Sequence, residues 1–389
     1  MRVAAGAAAL IATACVPGDV ERHSQSLAPG IWHHSVYLVR GPWRINVVEI
    51  DLERAWAAGY RLRTASAADG GLARVSELGA QALAAINGDF FAQEGEQGRA
   101  LGLQIRNGCL LRPPVGRSAL VIDSQGRCQI GRFQLRAELL DDFGVSYSIS
   151  AYGRAPRPEE LSLFSACTAL AGDTVRAAVG LQLLPLGEGS AINDTVPVLV
   201  RQIRRQAWPL LLDRGHWLAA AGSRHPAGQL VAPGDTLGLC LHLVPEDGLL
   251  AAGAAYEEAI GGGPRLLRDG QVAVEYAAER LSEAFAAERH PRTAAGYTRD
   301  GAVLYLVVVD GRQPGYSAGM SLTELASFMG GRLGAISRSG LPAHQALNFD
   351  GGGSTTMVVN RRIVNSPSDR TGERQVANAL LVVGPERSW

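Results

Sequence analysis

The chain has 389 residues, 47 % hydrophobic and 19 % charged, which is enough to bury a large core in one elaborate domain or two and excludes a disordered or fibrous protein. Acidic and basic residues balance at 37 each, without the basic excess that accompanies nucleic-acid binding. Every basic residue is arginine, so a lysine Schiff base, a phosphate-loop lysine and a lysine general base are all excluded.

The N-terminus, Met1-Arg2-Val3 followed by an alanine-rich apolar stretch up to Cys15, has the outline of a bacterial export signal. Small residues leading into Cys15 also resemble a lipoprotein cleavage site. Residues 1–22 are therefore expected to be an export or lipoprotein signal with a linker, Cys15 a lipidation candidate, and 23–389 the folded domain. No other segment has the roughly 18 consecutive apolar residues of a membrane span, so membrane contact is expected only through an N-terminal lipid. Of the other four cysteines, Cys109 and Cys128 flank a strand-turn-strand pattern, while Cys167 and Cys240 lie in two β-rich runs. An even number in an exported chain permits two disulfides, with Cys109–Cys128 and Cys167–Cys240 the expected pairing and buried free thiols the alternative. No C-x-x-C occurs, and none of the spacings suits zinc.

After a polar linker near residues 17 to 30, apolar alternation predicts strands over 34–40 and 43–51. Leu72, Val75, Leu78 and Leu83 show helical spacing over 71–83, and the strand Ala84-Ala85-Ile86 then runs into Asn87-Gly88-Asp89-Phe90-Phe91. Asn107-Gly108 and Ser124-Gln125-Gly126 are hairpin signals. The stretch from about 160 to 245 stays β-rich and carries few clustered polar groups, as an inserted β subdomain would.

The last third repeats a rhythm of strand followed by polar loop: Gly261-Gly262-Gly263-Pro264, then Arg289-His290-Pro291-Arg292-Thr293, then Val309-Asp310-Gly311-Arg312. Ser321 with Glu324 three residues later is a capping box and predicts a helix over 321–333. Strands, glycine loops and this helix together predict an α+β (mixed α/β) fold: a mixed β-sheet core with flanking helices.

The run Leu347-Asn348-Phe349-Asp350-Gly351-Gly352-Gly353-Ser354-Thr355-Thr356-Met357 ends an apolar strand in a carboxylate, three glycines and three hydroxyls. Successive glycines permit positive φ and close backbone approach to a ligand. Their N–H groups, with Ser354, Thr355 and Thr356, suit a sugar or phosphate; a tight hairpin whose aspartate caps its own turn is the structural alternative.

Taken together and in order, Ala85–Phe91, Gly261–Pro264, Pro291–Gly296, Val309–Arg312 and Asn348–Thr356 resemble the phosphodiester glycosidase family, of the N-acetylglucosamine-1-phosphodiester alpha-N-acetylglucosaminidase type. The resemblance runs from roughly Ile31 to Val383. The chain departs from the pattern at Asp89, where many relatives have a second glycine.

The resemblance implies a hydrolase that breaks the glycosidic bond of sugar-1-phosphodiesters in cell-wall or extracellular glycans. Such a reaction passes through an oxocarbenium-like transition state and expels a stable phosphate anion. Asp350 is the first choice for the carboxylate that attacks or activates water, and Asp310 the second. His290 could supply a proton or a hydrogen bond. Arg292, supported by Arg312 or Arg374, offers a planar, permanently charged fork for the phosphate. Asn87, Asp89, Thr293 and Thr355 are cast as substrate-binding groups, along with Gly351, Gly352, Gly353, Ser354 and Thr356. No organic cofactor is called for; three aspartates, an asparagine and backbone carbonyls could hold calcium or magnesium. A metal-dependent phosphodiesterase and a non-catalytic glycan-binding envelope protein remain as alternatives.

Overall fold

A computed structural model describes residues 20–385 except 68–69, 93–97, 166–173, 176, 188–191, 206–207, 210–216 and 247–254. The expected signal with Cys15, and Cys167, lie outside the described residues. Cys128 and Cys240 are free, buried thiols, so neither expected disulfide pairing forms. Burial in the apolar sheet core pushes the Cys128 thiol up to about 12, which keeps it protonated.

Among the described residues half are strand and 11 % helix, with one sheet nearly closed into a barrel. The structure is thus mostly β, and the expected α+β label fits it only loosely. An eight-stranded antiparallel sheet carries, in lateral order, Val20–Ala28, Ile31–Leu38, Trp43–Asp51, Val303–Val309, Arg292–Tyr297, Gln345–Asn348, Arg265–Arg268 and Gln271–Val272. A five-stranded sheet (Arg362–Ile363, Met357–Val359, Ala82–Asn87, Asn378–Val383, Arg61–Ser66) packs on it. A third, twelve-stranded sheet takes up most of residues 104–261. The strands between 160 and 245 join it beside Cys128–Leu140, as Thr236–Pro245 pairs directly with that long strand.

Val303–Val309 is buried at every position, as a central strand covered on both faces should be. Alternate residues serve different cores. Leu304, Leu306 and Val308 meet Ile86, Met357 and Leu380 of the five-stranded sheet, while Tyr305, Val307 and Val309 meet Leu322, Leu325, Phe328 and Leu333 on the other face. That covering helix is the predicted one. It begins at Leu322 with Ser321 and Glu324 in a reciprocal capping box, then runs through a π-turn at Phe328–Arg332 into Leu333–Ile336.

Two local expectations differ from the structure. The polar linker is instead the edge strand Val20–Ala28, whose side chains are mostly exposed; it pairs through its backbone with Ile31–Leu38, and so carries no apolar alternation. The helix expected over 71–83 shrinks to Val75–Leu78, because Leu83 belongs to the strand Ala82–Asn87, which is drawn into the ladder with Asn378–Val383.

Candidate functional site

Three strand ends and a glycine loop meet at Asp350. Gln345–Asn348 pairs with Arg292–Tyr297, Ala294 opposite Asn348, which brings the Pro291–Thr293 segment beside the loop. Phe349 N–H donates to Thr293 O at 2.8 Å and Gly352 N–H to Pro291 O at 2.9 Å. From the other sheet, Asp350 N–H donates to Gly88 O at 2.9 Å, and the Asn87 side-chain amide donates to Asp350 O at 2.7 Å.

Asn87 is fully buried, and its Oδ1 accepts from Thr293 Oγ1 at 2.7 Å and Thr356 N–H at 3.1 Å. Asn87 and Thr293, expected to touch substrate, thus bind each other and clamp the site's frame. Arg292 is also turned to the protein. Its Nε donates to Met320 O at 2.9 Å, and its Nη2 to Phe285 O at 2.9 Å and Glu288 O at 2.7 Å. Burial first, and then the neighbouring Arg312, depress its guanidinium to about 10, which still leaves it charged at neutral pH.

The accessible fork is Arg312, an exposed residue held at φ +59°. Its guanidinium lies over Gly352, where an added Cβ would stand 2.9 Å from Nη1; Gly352 itself has φ +61°. Arg312 Nε and Nη2 lie 3.3 and 3.2 Å from His290 Nδ1, so that nitrogen accepts. His290 Nε2–H then donates to Glu288 at 3.1 Å. Burial, followed by the charges of Arg312 and Arg292, lowers the imidazole pKa. His290 is therefore neutral at pH 7, a relay rather than a second cation.

Arg374 grips Asp369 with both arms, Nε to Oδ2 at 2.7 Å and Nη2 to Oδ1 at 3.1 Å. This planar pair sits on Gly353, where any Cβ would collide with Asp369 Oδ1 and Arg374 Nη2. The glycine run thus makes room for two arginines.

Asp350 accepts from Gly351 N–H at 2.9 Å. Burial raises its carboxyl pKa, against the opposing pull of Ser354, Arg374 and Arg312. Asp89 stands close enough for their charges to interact; it is buried, and burial lifts its carboxyl to about 7, although Gly102 N–H at 2.6 Å and Phe90 N–H at 2.8 Å both donate to it. Burial is the dominant cause of the Asp89 shift, and the charge of Asp350 adds only a small further push. The hydroxyls of Thr355 and Thr356 are buried without a hydrogen-bond partner among the described residues.

Asp310 stands further along the sheet end. It accepts from Ser366 N–H at 2.9 Å and Asn365 Nδ2 at 3.1 Å, and burial raises its carboxyl to about 6. Asn365 also donates to Thr355 O at 3.0 Å, which ties Asp310 to the glycine loop through one side chain. Among the described residues no three His, Cys, Asp or Glu side chains converge as a metal site would require.

Sequence reading missed Asp369, Asn365 and Asn378. Asn378 accepts from Asp89 N–H at 2.8 Å. The polar run 365–374 between two strands was the signal for Asp369 and Asn365, and of it only Arg374 was singled out; Asn378 opens the strand Asn378–Val383.

The frame is therefore a carboxylate pair beside a glycine loop roofed by arginines. Residues 200–383 match the model of the phosphodiester glycosidase family. That stretch contains the Gly261, Arg292, Asp310 and Asp350 segments and leaves the Asn87 segment outside. A phosphodiester glycosidase is a hydrolase, and that class is what the match supports. Among solved structures, a Synechocystis protein of unassigned function aligns over 91 % of this chain at 22 % identity and a TM-score of 0.64. The chain spans 62 % of that protein's length. A Burkholderia pseudomallei K96243 protein, named as a candidate exported protein, aligns over 88 % of this chain and 74 % of its own at 25 % identity and a TM-score of 0.60. The catalytic domain of zebrafish N-acetylglucosamine-1-phosphodiester alpha-N-acetylglucosaminidase, auto-inhibited by its pro-peptide, aligns over 94 % of this chain and 83 % of its own at 16 % identity and a TM-score of 0.47. No curated protein sequence matches this chain.

Proposed function

We propose that the chain hydrolyses the bond between the anomeric carbon and the phosphate oxygen of sugar-1-phosphodiesters, of the N-acetylglucosamine-1-phosphate type, in cell-wall or extracellular glycans. The observation that carries this reading is the placement of the Asp350 carboxylate beside a loop whose glycines admit the Arg312 and Arg374 guanidinium groups. A phosphodiester oxygen seated on Arg312 and the loop N–H groups would lie next to the carboxylate that attacks the anomeric carbon or deprotonates water. Negative charge developing on the leaving phosphate is met by fixed cations, so a strong general acid is not needed. Asp89, with its carboxyl lifted to about 7 by burial, would stand behind Asp350 as a largely neutral group and keep a second negative charge out of the site. His290 holds Arg312 in position. Extracytoplasmic location is part of the proposal; it is supported by the name of the Burkholderia relative and by the signal-like N-terminus.

The test is release of free sugar from a panel of glycosyl-1-phosphodiesters by the wild-type chain and by Asp350→Ala, each with and without chelator, in heavy-oxygen water. Label in the sugar, lost in the variant and retained with chelator, supports a metal-free glycosidase. Label in the phosphate, or loss on chelation, would move the assignment to a metal-dependent phosphodiesterase. Binding without product would make the chain a glycan-binding protein.

A further inference from the structure

Asp310 faces a polar cavity of about 260 Å³ that the proposed reaction does not use. Its wall is built from the same end of the eight-stranded sheet as the Asp350 site. In lateral order the strands there end or begin at Asp350, Arg292, Asp310, Arg44 and Tyr37. Neighbouring strands lie ~4.8 Å apart, so Asp310 is about 10 Å across from the Asp350 strand and Arg44 about 14 Å. The cavity thus lies in line with the reaction site.

Its central group is Arg44. The guanidinium is held between two rings, 4.6 Å from the Tyr37 centroid and 4.5 Å from that of Tyr316. Its Nε is buried without a hydrogen-bond partner among the described residues. A cation stacked on two rings is held rigidly, and Arg44, beside the Asp310 carboxyl, lines the cavity. Glu21, Asn46 and Asp310 bring oxygen acceptors to the same wall, and Arg22 and His23 bring donors. Two carboxylates oppose an anion, while the arginines oppose a cation. The wall therefore favours a neutral ligand that offers many donors and acceptors at once, as a polyhydroxylated ring does.

We infer that this cavity is a saccharide subsite, in line with the Asp350 site, that holds a sugar unit of the substrate beyond the phosphodiester. The inference rests on the glycosidase reading for its place in the substrate, but the cavity's affinity for sugar can be measured without turnover.

Two measurements decide it. Calorimetric titration with chitotriose, maltotriose and cellotriose reads binding directly in wild type, Arg44→Met, Tyr316→Ala and Asp350→Ala. Binding of at least one trisaccharide, weakened tenfold or more by Arg44→Met and by Tyr316→Ala but not by Asp350→Ala, is the expected result. Absence of binding by all three, or equal binding by Arg44→Met with its thermal midpoint unchanged, overturns the subsite. In parallel, kcat/KM is compared for N-acetylglucosamine-1-phosphate esterified to methanol and to a trisaccharide. Arg44→Met is expected to lower the second value at least tenfold more than the first; equal losses overturn the placement. If neither ester is cleaved the glycosidase reading fails, and the titration still decides the cavity.

Discussion

Asn87 and Asp350 are joined by backbone and side chain across two sheets: the Asn87 amide donates to Asp350 O at 2.7 Å, and the Asp350 N–H reaches the next residue, Gly88, at 2.9 Å. The backbone that carries the Asp350 carboxyl is thereby fixed by a residue buried behind the loop. Replacing Asn87 by Ala leaves the Thr293 hydroxyl, the Thr356 N–H and the Asp350 carbonyl without that partner in a dry site. Each buried orphan costs about 1–3 kcal/mol, so Asn87→Ala should lower the urea midpoint clearly and reduce sugar release through misplacement. Urea unfolding with a parallel activity assay checks it; an unchanged midpoint would contradict the clamp.

Asp350→Asn keeps the volume and the Gly351 contact but removes the charge. Sugar release is expected to fall by about three orders of magnitude or more, with the thermal midpoint equal to or above that of wild type, because a carboxylate whose pKa is raised by burial destabilises the fold at neutral pH. Initial rates and a thermal melt on one preparation report both.

Arg312 is the exposed fork, so Arg312→Gln should act mainly on the phosphodiester. A drop in kcat/KM of about 10- to 100-fold is expected, and Arg312→Lys should recover only part of it, since an ammonium cannot donate two parallel hydrogen bonds to one phosphate. Steady-state kinetics on the three proteins separate charge from geometry.

Gly353→Ala places a methyl group where Asp369 and Arg374 now meet. The ion pair must move, and the loop with it. Activity should fall at least tenfold, and Gly353→Ala combined with Arg374→Ala should lose little more than either alone, because the two share one cause.

Stability should depend on pH through Asp89. An unfolded aspartate releases its proton near 3.8, whereas the buried Asp89 keeps its proton until about 7. Between those values the folded chain binds the extra proton, so stability declines as pH rises from about 4 to 7; Asp310, raised to about 6, adds to the same trend. Asp89→Asn should flatten part of the decline. Urea midpoints at pH 5 and 7.5 for both proteins measure it, and equal slopes would refute the assignment.

Much of the site was legible in the sequence because its residues lie in short motifs at strand ends, where the apolar pattern stops abruptly. Asp350, Arg312 and Asp89 were singled out as candidates this way. What the sequence could not display was direction. Arg292 and Arg312 are both arginines in polar turns, yet one points into carbonyls and the other to solvent, and only tertiary packing distinguishes them. The edge strand Val20–Ala28 was missed because backbone pairing leaves no mark on an exposed sequence. The helix expected over 71–83 was a chance spacing that sheet pairing overrode. Asp369 was hidden because its partner, Arg374, is a loop residue with no periodicity.

The Arg374–Asp369 pair has a consequence for what leaves the site. Of the three arginines gathered around the loop, Arg374 is neutralised by Asp369 and Arg292 lies in the field of Glu288, which leaves Arg312 facing the Asp350 carboxyl. A phosphodiester carries one negative charge, and the phosphate monoester produced by its cleavage approaches two at pH 7. For the proposed reaction, the site thus presents one accessible guanidinium rather than a cluster of free cations. With few uncompensated cations, a doubly charged product would gain little hold over a singly charged diester, which in the proposed reaction favours turnover against inhibition by accumulated monoester.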